Sequence, residues 1–121
     1  VKDHCRAIFK ALLDGKSGEV YNIGGNNEKN NLEVAELICK TLDSVYPISN
    51  NKGFPLSIGS YAELITFVND RAGHDFRYSI DSSKITKELG WSPKETFESG
   101  IEKTISWYLS NQKWLNDVAD S

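Results

Sequence analysis

The sequence predicts a helix-rich α/β fold, and three observations carry that prediction. Apolar residues recur at helical spacing over 3–14, 32–45, 82–89 and 97–111. Only two or three short runs, at 19–23, 64–68 and briefly 76–80, read as strands. The 121 residues are 39% hydrophobic and 26% charged, which suits one globular domain and not a disordered chain. So few strands do not make a stable sheet alone. The runs at 19–23 and 64–68 are therefore expected to belong to a sheet completed elsewhere.

In the first helix, Cys5, Ile8, Phe9, Leu12 and Leu13 share one face. Asp3 is placed to cap its start, and Gly15 stands where a left-handed terminal residue belongs. His4 reads as a surface residue. Lys16-Ser17-Gly18 makes a turn into the strand-like Glu19-Val20-Tyr21-Asn22-Ile23, which Gly24-Gly25 breaks. The polar loop 26–31 leads to a second helix whose stripe is Val34, Leu37, Ile38, Thr41, Leu42 and Val45. Either Asn30 or Asn31 is its cap, and Asn30 with Glu33 has capping-box spacing. A helix start also accepts anions, which keeps a ligand role open there.

Pro47 ends that element. Residues 47–60 hold two prolines, two glycines and three serines, so a long loop is expected, either mobile or functional, pinned by Phe54, Leu56 and Ile58. After the run 64–68, Asp81 caps a short helix over 82–89 that stops at Gly90 and buries Ile85 and Leu89. Trp91-Ser92-Pro93 gives a turn with an apolar anchor. Thr96 caps the last helix, where Phe97, Ile101, Thr104, Ile105 and Tyr108 share a face beside Trp107 and Leu109. Residues 115–121 are expected to fray.

Net charge is -3, so no sequence-independent attraction to nucleic acid or to an anionic membrane is expected. No apolar run approaches the ~20 residues of a membrane helix. Cys5 and Cys39 fall at apolar helical positions, which predicts buried reduced thiols and a cytoplasmic setting. No cysteine and histidine cluster has metal-ligand spacing. The chain has no methionine and begins at Val1, so it is expected to be the C-terminal part of something longer.

The one stretch that suits ligand binding is Asp70-Arg71-Ala72-Gly73-His74-Asp75, with Arg77 behind it. Arginine offers a planar fork of donors that matches phosphate geometry. Glycine admits a close backbone approach, and histidine adds a ring donor or a charge near neutral pH. An ordinary polar turn, with Asp70 or Asp75 pairing to Arg71 or Arg77, accounts for the same spacing. Catalytic signals are absent. His4 and His74 have no companion nucleophile motif, no Tyr-x-x-x-Lys pair exists, and Gly24-Gly25 lacks the second half of a dinucleotide-binding turn.

Three segments, YNIGGNNEKNN (21–31), VNDRAGHDFRYSID (68–81) and LGWSPKETFESGIEKTISWYLSN (89–111), together with VKDHCRAI (1–8), carry a resemblance. They resemble the C-terminal region of the dTDP-glucose 4,6-dehydratase family, extended short-chain dehydrogenase/reductases that act on nucleotide sugars. The last segment is shared with many nucleotide-sugar epimerases and dehydratases; the first two point to this branch. The resemblance implies a helix-rich C-terminal substrate-binding part of an α/β enzyme, spanning 1–121, with the Rossmann core mostly absent. An N-terminal Rossmann domain would hold NAD and the catalytic tyrosine, lysine and acid/base pair, leaving no catalytic residue in this chain. The sugar would give a hydride from C4 to NAD, lose water across C5–C6 and take the hydride back at C6.

The family's ligand contacts map onto Asn31 and the loop Asp70, Arg71, Ala72, Gly73 and His74. Arg71 would grip the diphosphate of dTDP-glucose, with His74 and Asn31 at the same end. The family usually has proline where Ala72 stands, which would make the empty loop less rigid here. The stretch 48–60 also looks longer than usual. A homodimer is implied for the full-length protein, and inactivity for this part alone. Rival readings are a part of another nucleotide-sugar epimerase or decarboxylase, and a stand-alone non-catalytic nucleotide-binding module.

Overall fold

A computed structural model describes residues 1–55, 57–74 and 78–119. They form five α-helices: α1 (Lys2–Asp14), α2 (Asn31–Val45), α3 (Ser83–Leu89), α4 (Phe97–Ser110) and α5 (Gln112–Ala119). Two 3₁₀ turns, Ile48–Asn50 and Tyr61–Leu64, lie between α2 and α3. No strand is present among the described residues, so the helix-rich expectation holds and the strands do not form. A strand is defined by a ladder partner, and neither 19–23 nor 64–68 finds one. The third run, 76–80, has its first two residues outside the described ones, and 78–80 is not a strand.

The chain divides into two compact units. The first joins 1–28 to 71–97, and the second joins 29–70 to 98–121.

In the first unit the core is Ala7, Ile85, Leu89 and Trp91, with Ala11, Tyr21 and Ile23 packed against it. Ile85, Leu89 and the Trp91 anchor are buried as expected. The face of α1 is not. Ala7 is the buried residue of that helix, whereas Phe9 is 61% and Leu12 76% exposed, and Cys5, Ile8 and Leu13 also face out. Two alanines a turn apart let α1 approach α3 closely, and a leucine face would hold the helices further apart. His4 is on the surface, as predicted.

Both predicted ends of α1 need correction. Its cap position is Val1, with no side-chain cap bond. The Asp3 carboxylate instead accepts the backbone N–H groups of Lys94 and Glu95, each at 2.9 Å. It also pairs with Arg6, which donates to the Ser92 carbonyl at 3.3 Å. Gly15 is extended at φ -69°, not left-handed. It is glycine because a Cβ would fall 2.3 Å from the Ala11 oxygen.

The segment 19–23 is held by side chains in place of a ladder. Tyr21 donates to Glu88 at 3.2 Å, and Lys84 reaches Glu19 at 2.6 Å while lying over the Tyr21 ring. Asp81 accepts from the Ser83 N–H at 2.8 Å, capping α3 from one residue before the cap position. Ser82 itself is buried and donates to Asn26 at 3.2 Å. Gly90 closes α3 at φ 64°, the left-handed conformation expected of it.

In the second unit α2 starts with a capping box. Glu33 N–H donates to the Asn30 side chain at 2.9 Å, and Asn30 N–H donates to Glu33 at 2.8 Å. Most of the α2 stripe is half-buried, whereas Val45 is exposed. The stretch 47–60 is pinned down. Ile48 and Tyr61 are buried, and Phe54 meets Tyr61 edge-on at 6.2 Å. Ile58 is half-buried, and the predicted anchor Leu56 lies outside the described residues. Burial also pushes the half-exposed Cys39 thiol up, with Asp43 adding to it, while Cys5 is exposed, against expectation. The predicted frayed end is helical to Ala119, and Trp114 of α5 meets Trp107 of α4 edge-on at 5.1 Å.

The Glu95 amide above all, then the Lys94 amide and Arg6, hold the Asp3 carboxyl below the usual carboxylate range, against the partial desolvation that opposes them. A carboxyl lowered on folding contributes fully above its unfolded value of about 4, and that contribution is lost as pH falls through the lowered native value. The Tm gap between wild type and Asp3→Asn is therefore expected to be widest near neutral pH and to narrow in acid. Calorimetry across that range checks it, and a gap independent of pH contradicts the clamp.

Candidate functional site

Within the predicted loop, Ala72 and Gly73 form a turn that lies in the first unit. Gly73 has φ +72°, a left-handed conformation that costs other residues about 1–2 kcal/mol. Arg71, Ala72 and Gly73 are exposed and His74 is half-buried. An exposed guanidinium ahead of a left-handed glycine can meet an anion with side chain and backbone together. Asp70 and Arg71 both take part in polar interactions, as an ordinary polar turn also requires. The alternative partners Asp75 and Arg77 lie outside the described residues.

Asn31 and Asp70 belong to the second unit, and Arg71 to His74 belong to the first. The capping box assigns the cap to Asn30, so Asn31 becomes the first residue of α2. Its side chain has no part in the cap bonds and is exposed. A polar side chain on the first turn of a helix, beside its partial positive charge, is suited to an anionic ligand. Glu33 sits in the same turn and supplies negative charge there already.

Two hollows of about 400 and 470 Å³ lie elsewhere. One borders Cys5, Phe9 and Trp91, and the other follows α4 at Trp107. None of the predicted ligand residues lines either. Among the described residues no group of three or more histidine, cysteine or acidic side chains could hold a metal ion. No helix is long and apolar enough to cross a membrane.

The Gly24-Gly25 break has a packing reason. A Cβ on Gly24 would lie 3.0 Å from the Ile80 side chain. Gly24 is therefore small to admit Ile80, with no need of a phosphate to explain it.

The sequence reading missed Asp43, Ser60 and Tyr61. Asp43 accepts from the Ser60 hydroxyl at 2.6 Å and from the Tyr61 N–H at 3.0 Å. Ser60 also opens a second capping box, with Glu63 three residues on. The Ser-x-x-Glu spacing was the signal available; nothing in sequence announced Asp43.

Comparison with known proteins covers nearly the whole chain. The family described as GDP-mannose 4,6 dehydratase matches residues 1–104. The dTDP-glucose 4,6-dehydratase of Salmonella typhimurium is 53% identical over 98% of this chain and 30% of the relative's length. That of Neisseria meningitidis is 49% identical over 98% of this chain and 32% of its own. Among solved structures, the dTDP-glucose 4,6-dehydratase of Bacillus anthracis in complex with NAD superposes with a TM-score of 0.72 at 43% identity. The match takes in 93% of this chain and 30% of that one. DesIV of Streptomyces venezuelae, also a dTDP-glucose 4,6-dehydratase solved with NAD bound, gives 0.69 at 39% identity over the same shares. The chain thus spans about a third of the proteins it resembles.

Two glycine substitutions separate the turn from an ordinary helix position. Gly73→Ala is expected to lower the unfolding free energy by about 1 kcal/mol through its positive φ alone, since nothing lies within 4 Å of the added carbon. Gly100→Ala, in α4 and equally open, is expected to raise it by roughly 0.5–1 kcal/mol. Urea unfolding of both variants checks the opposite signs.

Proposed function

The chain belongs to the GDP-mannose 4,6 dehydratase family, and from that premise we propose that it is the substrate-holding part of a dTDP-glucose 4,6-dehydratase. The reaction is the NAD-dependent conversion of dTDP-glucose to dTDP-4-keto-6-deoxyglucose, a lyase activity carried out in the cytoplasm. The observation that carries this reading is 53% identity, across 98% of the chain, to an enzyme of that name. The YNIGG and DR-x-GHD segments agree with it, because they separate this branch from the wider family.

On this reading residues 1–121 form the nucleotide-sugar-binding portion, and an N-terminal Rossmann domain holds NAD. The full-length protein is a homodimer. Arg71 grips the diphosphate with charge-assisted hydrogen bonds, His74 lies beside it, and Asn31 reaches the same end of the ligand. Asp70, Ala72 and Gly73 shape the turn that presents them. NAD supplies hydride acceptance and return, and this chain's task is to hold the sugar in register meanwhile. Binding energy at the remote nucleotide serves that purpose, because positioning lowers the barrier without contact at the reacting carbons. The outward stripe of α1 supports a missing neighbour. Ile8, Phe9, Leu12 and Leu13 are each more than half exposed in one helix, a patch that soluble proteins cover.

In the full-length protein, Arg71→Ala is expected to weaken dTDP binding by about 1.5–3 kcal/mol. Lys87→Ala, an exposed cation on α3, is expected to change it by roughly nothing. Calorimetric titration of the two variants with dTDP tests the assignment, and equal affinities refute it. The chain by itself is expected to form no 4-keto-6-deoxy sugar in an assay where the full-length protein does.

A further inference from the structure

We infer that the outward face of α1 is a docking surface, covered in the full-length protein by an apolar layer from the portion outside residues 1–121. This rests on the functional reading above and names the neighbour that reading calls for.

All the groups involved lie in the first unit. The helix is apolar on two sides. At about 100° per residue, Ala7 and Ala11 fall on one side of α1, and Cys5, Ile8, Phe9, Leu12 and Leu13 spread over the opposite one. Ala7 is buried with Ile85, Leu89 and Trp91, and Ala11 packs against them. On the other side Ile8, Phe9, Leu12 and Leu13 are each more than half exposed, and Cys5 is exposed with them. A helix at the rim of a domain is polar on its outer side, whereas one that is apolar on both sides is buried between two layers.

The face runs on into a hollow of about 400 Å³, because Cys5 and Phe9 also line that hollow, beside Arg6, Lys10, Gly90 and Trp91. Nothing lies within 4 Å of the point where a Cβ on Gly90 would stand. The two cations at the hollow are already paired on their own helix, Arg6 with Asp3 and Lys10 with Asp14 at 2.7 Å. A covering layer therefore needs no acidic group to match them. What fits is an apolar contact along Ile8, Phe9 and Leu12, with one large side chain entering the hollow next to Trp91.

Size separates a linked cover from a second molecule. The 13 residues of α1 span about 20 Å. With a helix width of ~10 Å, one face offers roughly 200 Å². Separate molecules associate stably through about 800 Å² on each partner. The face of α1 falls well short of that, so its cover is held in place by covalent linkage, which supplies a high effective concentration. There is chain enough to provide it. The match to the Salmonella typhimurium relative takes in only 30% of that protein's length, so most of a protein of that size lies outside residues 1–121.

Cys5 sits within the face and reports on its cover. In the test the full-length protein is treated with N-ethylmaleimide, and labelling of Cys5 is followed by peptide mass spectrometry in the folded state and in urea. Cys5 is expected to react at least about 100-fold more slowly in the folded state. Lys87→Cys, at an exposed position of α3 in the same unit, is expected to react as fast folded as in urea. Leu12→Ser is expected to lower Tm and to speed the labelling of Cys5, whereas a change on a free surface does neither. The docking surface is ruled out if Cys5 of the folded wild type reacts as fast as Lys87→Cys. It is ruled out equally if the protection of Cys5 disappears on dilution together with an oligomer seen by light scattering, since a second copy then provides the cover. Should Leu12→Ser not fold, the wild-type rate decides alone. Formation of the 4-keto-6-deoxy sugar from dTDP-glucose is measured on the same preparation. Product with a reactive Cys5 means that only the docking surface fails; a protected Cys5 with no product means that the nucleotide-sugar reading fails and the docking surface stands.

Discussion

One carboxylate joins the beginning of the first unit to its end. Asp3 receives the N–H groups of Lys94 and Glu95 across 91 and 92 residues of sequence, and Arg6 beside it reaches the Ser92 carbonyl. Closing so long a loop costs conformational entropy, though the cost grows only slowly with length. What offsets it is burial next to the clamp, where Trp91 packs with Ala7, Ile85 and Leu89. The two effects need each other. Trp91 anchors the turn in the core, and the carboxylate fixes the backbone that follows, where helix α4 is about to begin. An ionised oxygen that accepts two backbone donors also satisfies N–H groups that no helix or sheet takes up.

How much of this was legible in the sequence depends on the range of the interaction. The α2 cap at Asn30, the Gly90 stop and the burial of Ile85 and Leu89 rest on neighbours within a turn, and all were readable. Asp3 was recognised as a polar residue at a helix start, but its partners are ninety positions away, so the sequence assigned it to the nearest donors. Gly15 was misread for a related reason. A glycine after a helix is usually left-handed, but here it avoids a clash with the Ala11 carbonyl, and spacing does not tell these causes apart. The run 64–68 shows the limit for strands. Alternation marks a chain able to pair, and pairing requires an edge that these residues do not supply.

The candidate site was legible as chemistry and only in part as geometry. Arg, Gly and His within four residues suit an anion-binding turn and an ordinary polar turn alike, and the positive φ of Gly73 fits either. Asn31 became a candidate through resemblance, and the capping box then gave the cap to its neighbour, which leaves Asn31 without a structural duty of that kind. Asp43 went unnoticed because an acidic residue on a helix usually faces water. Its role appears only when the serine and amide of a separate segment arrive beside it.

The face of α1 carries the argument one step further. A helix with alanines at 7 and 11 can lie close to α3, and close approach gains dispersion contacts without needing large side chains. The large side chains of the same helix then point the other way, toward solvent here. Hydrophobic periodicity detects that a helix has an apolar face, but it cannot say which of two faces meets which partner. In α1 the stronger face is the one with no partner among the described residues, so the periodicity was right about the helix and wrong about its neighbour. An element sandwiched between two layers presents this pattern, with small residues toward one and large residues toward the other. It follows that α1 meets the core built around Trp91 through its small residues, and that the clamp at Asp3 fixes that helix to the turn after Trp91.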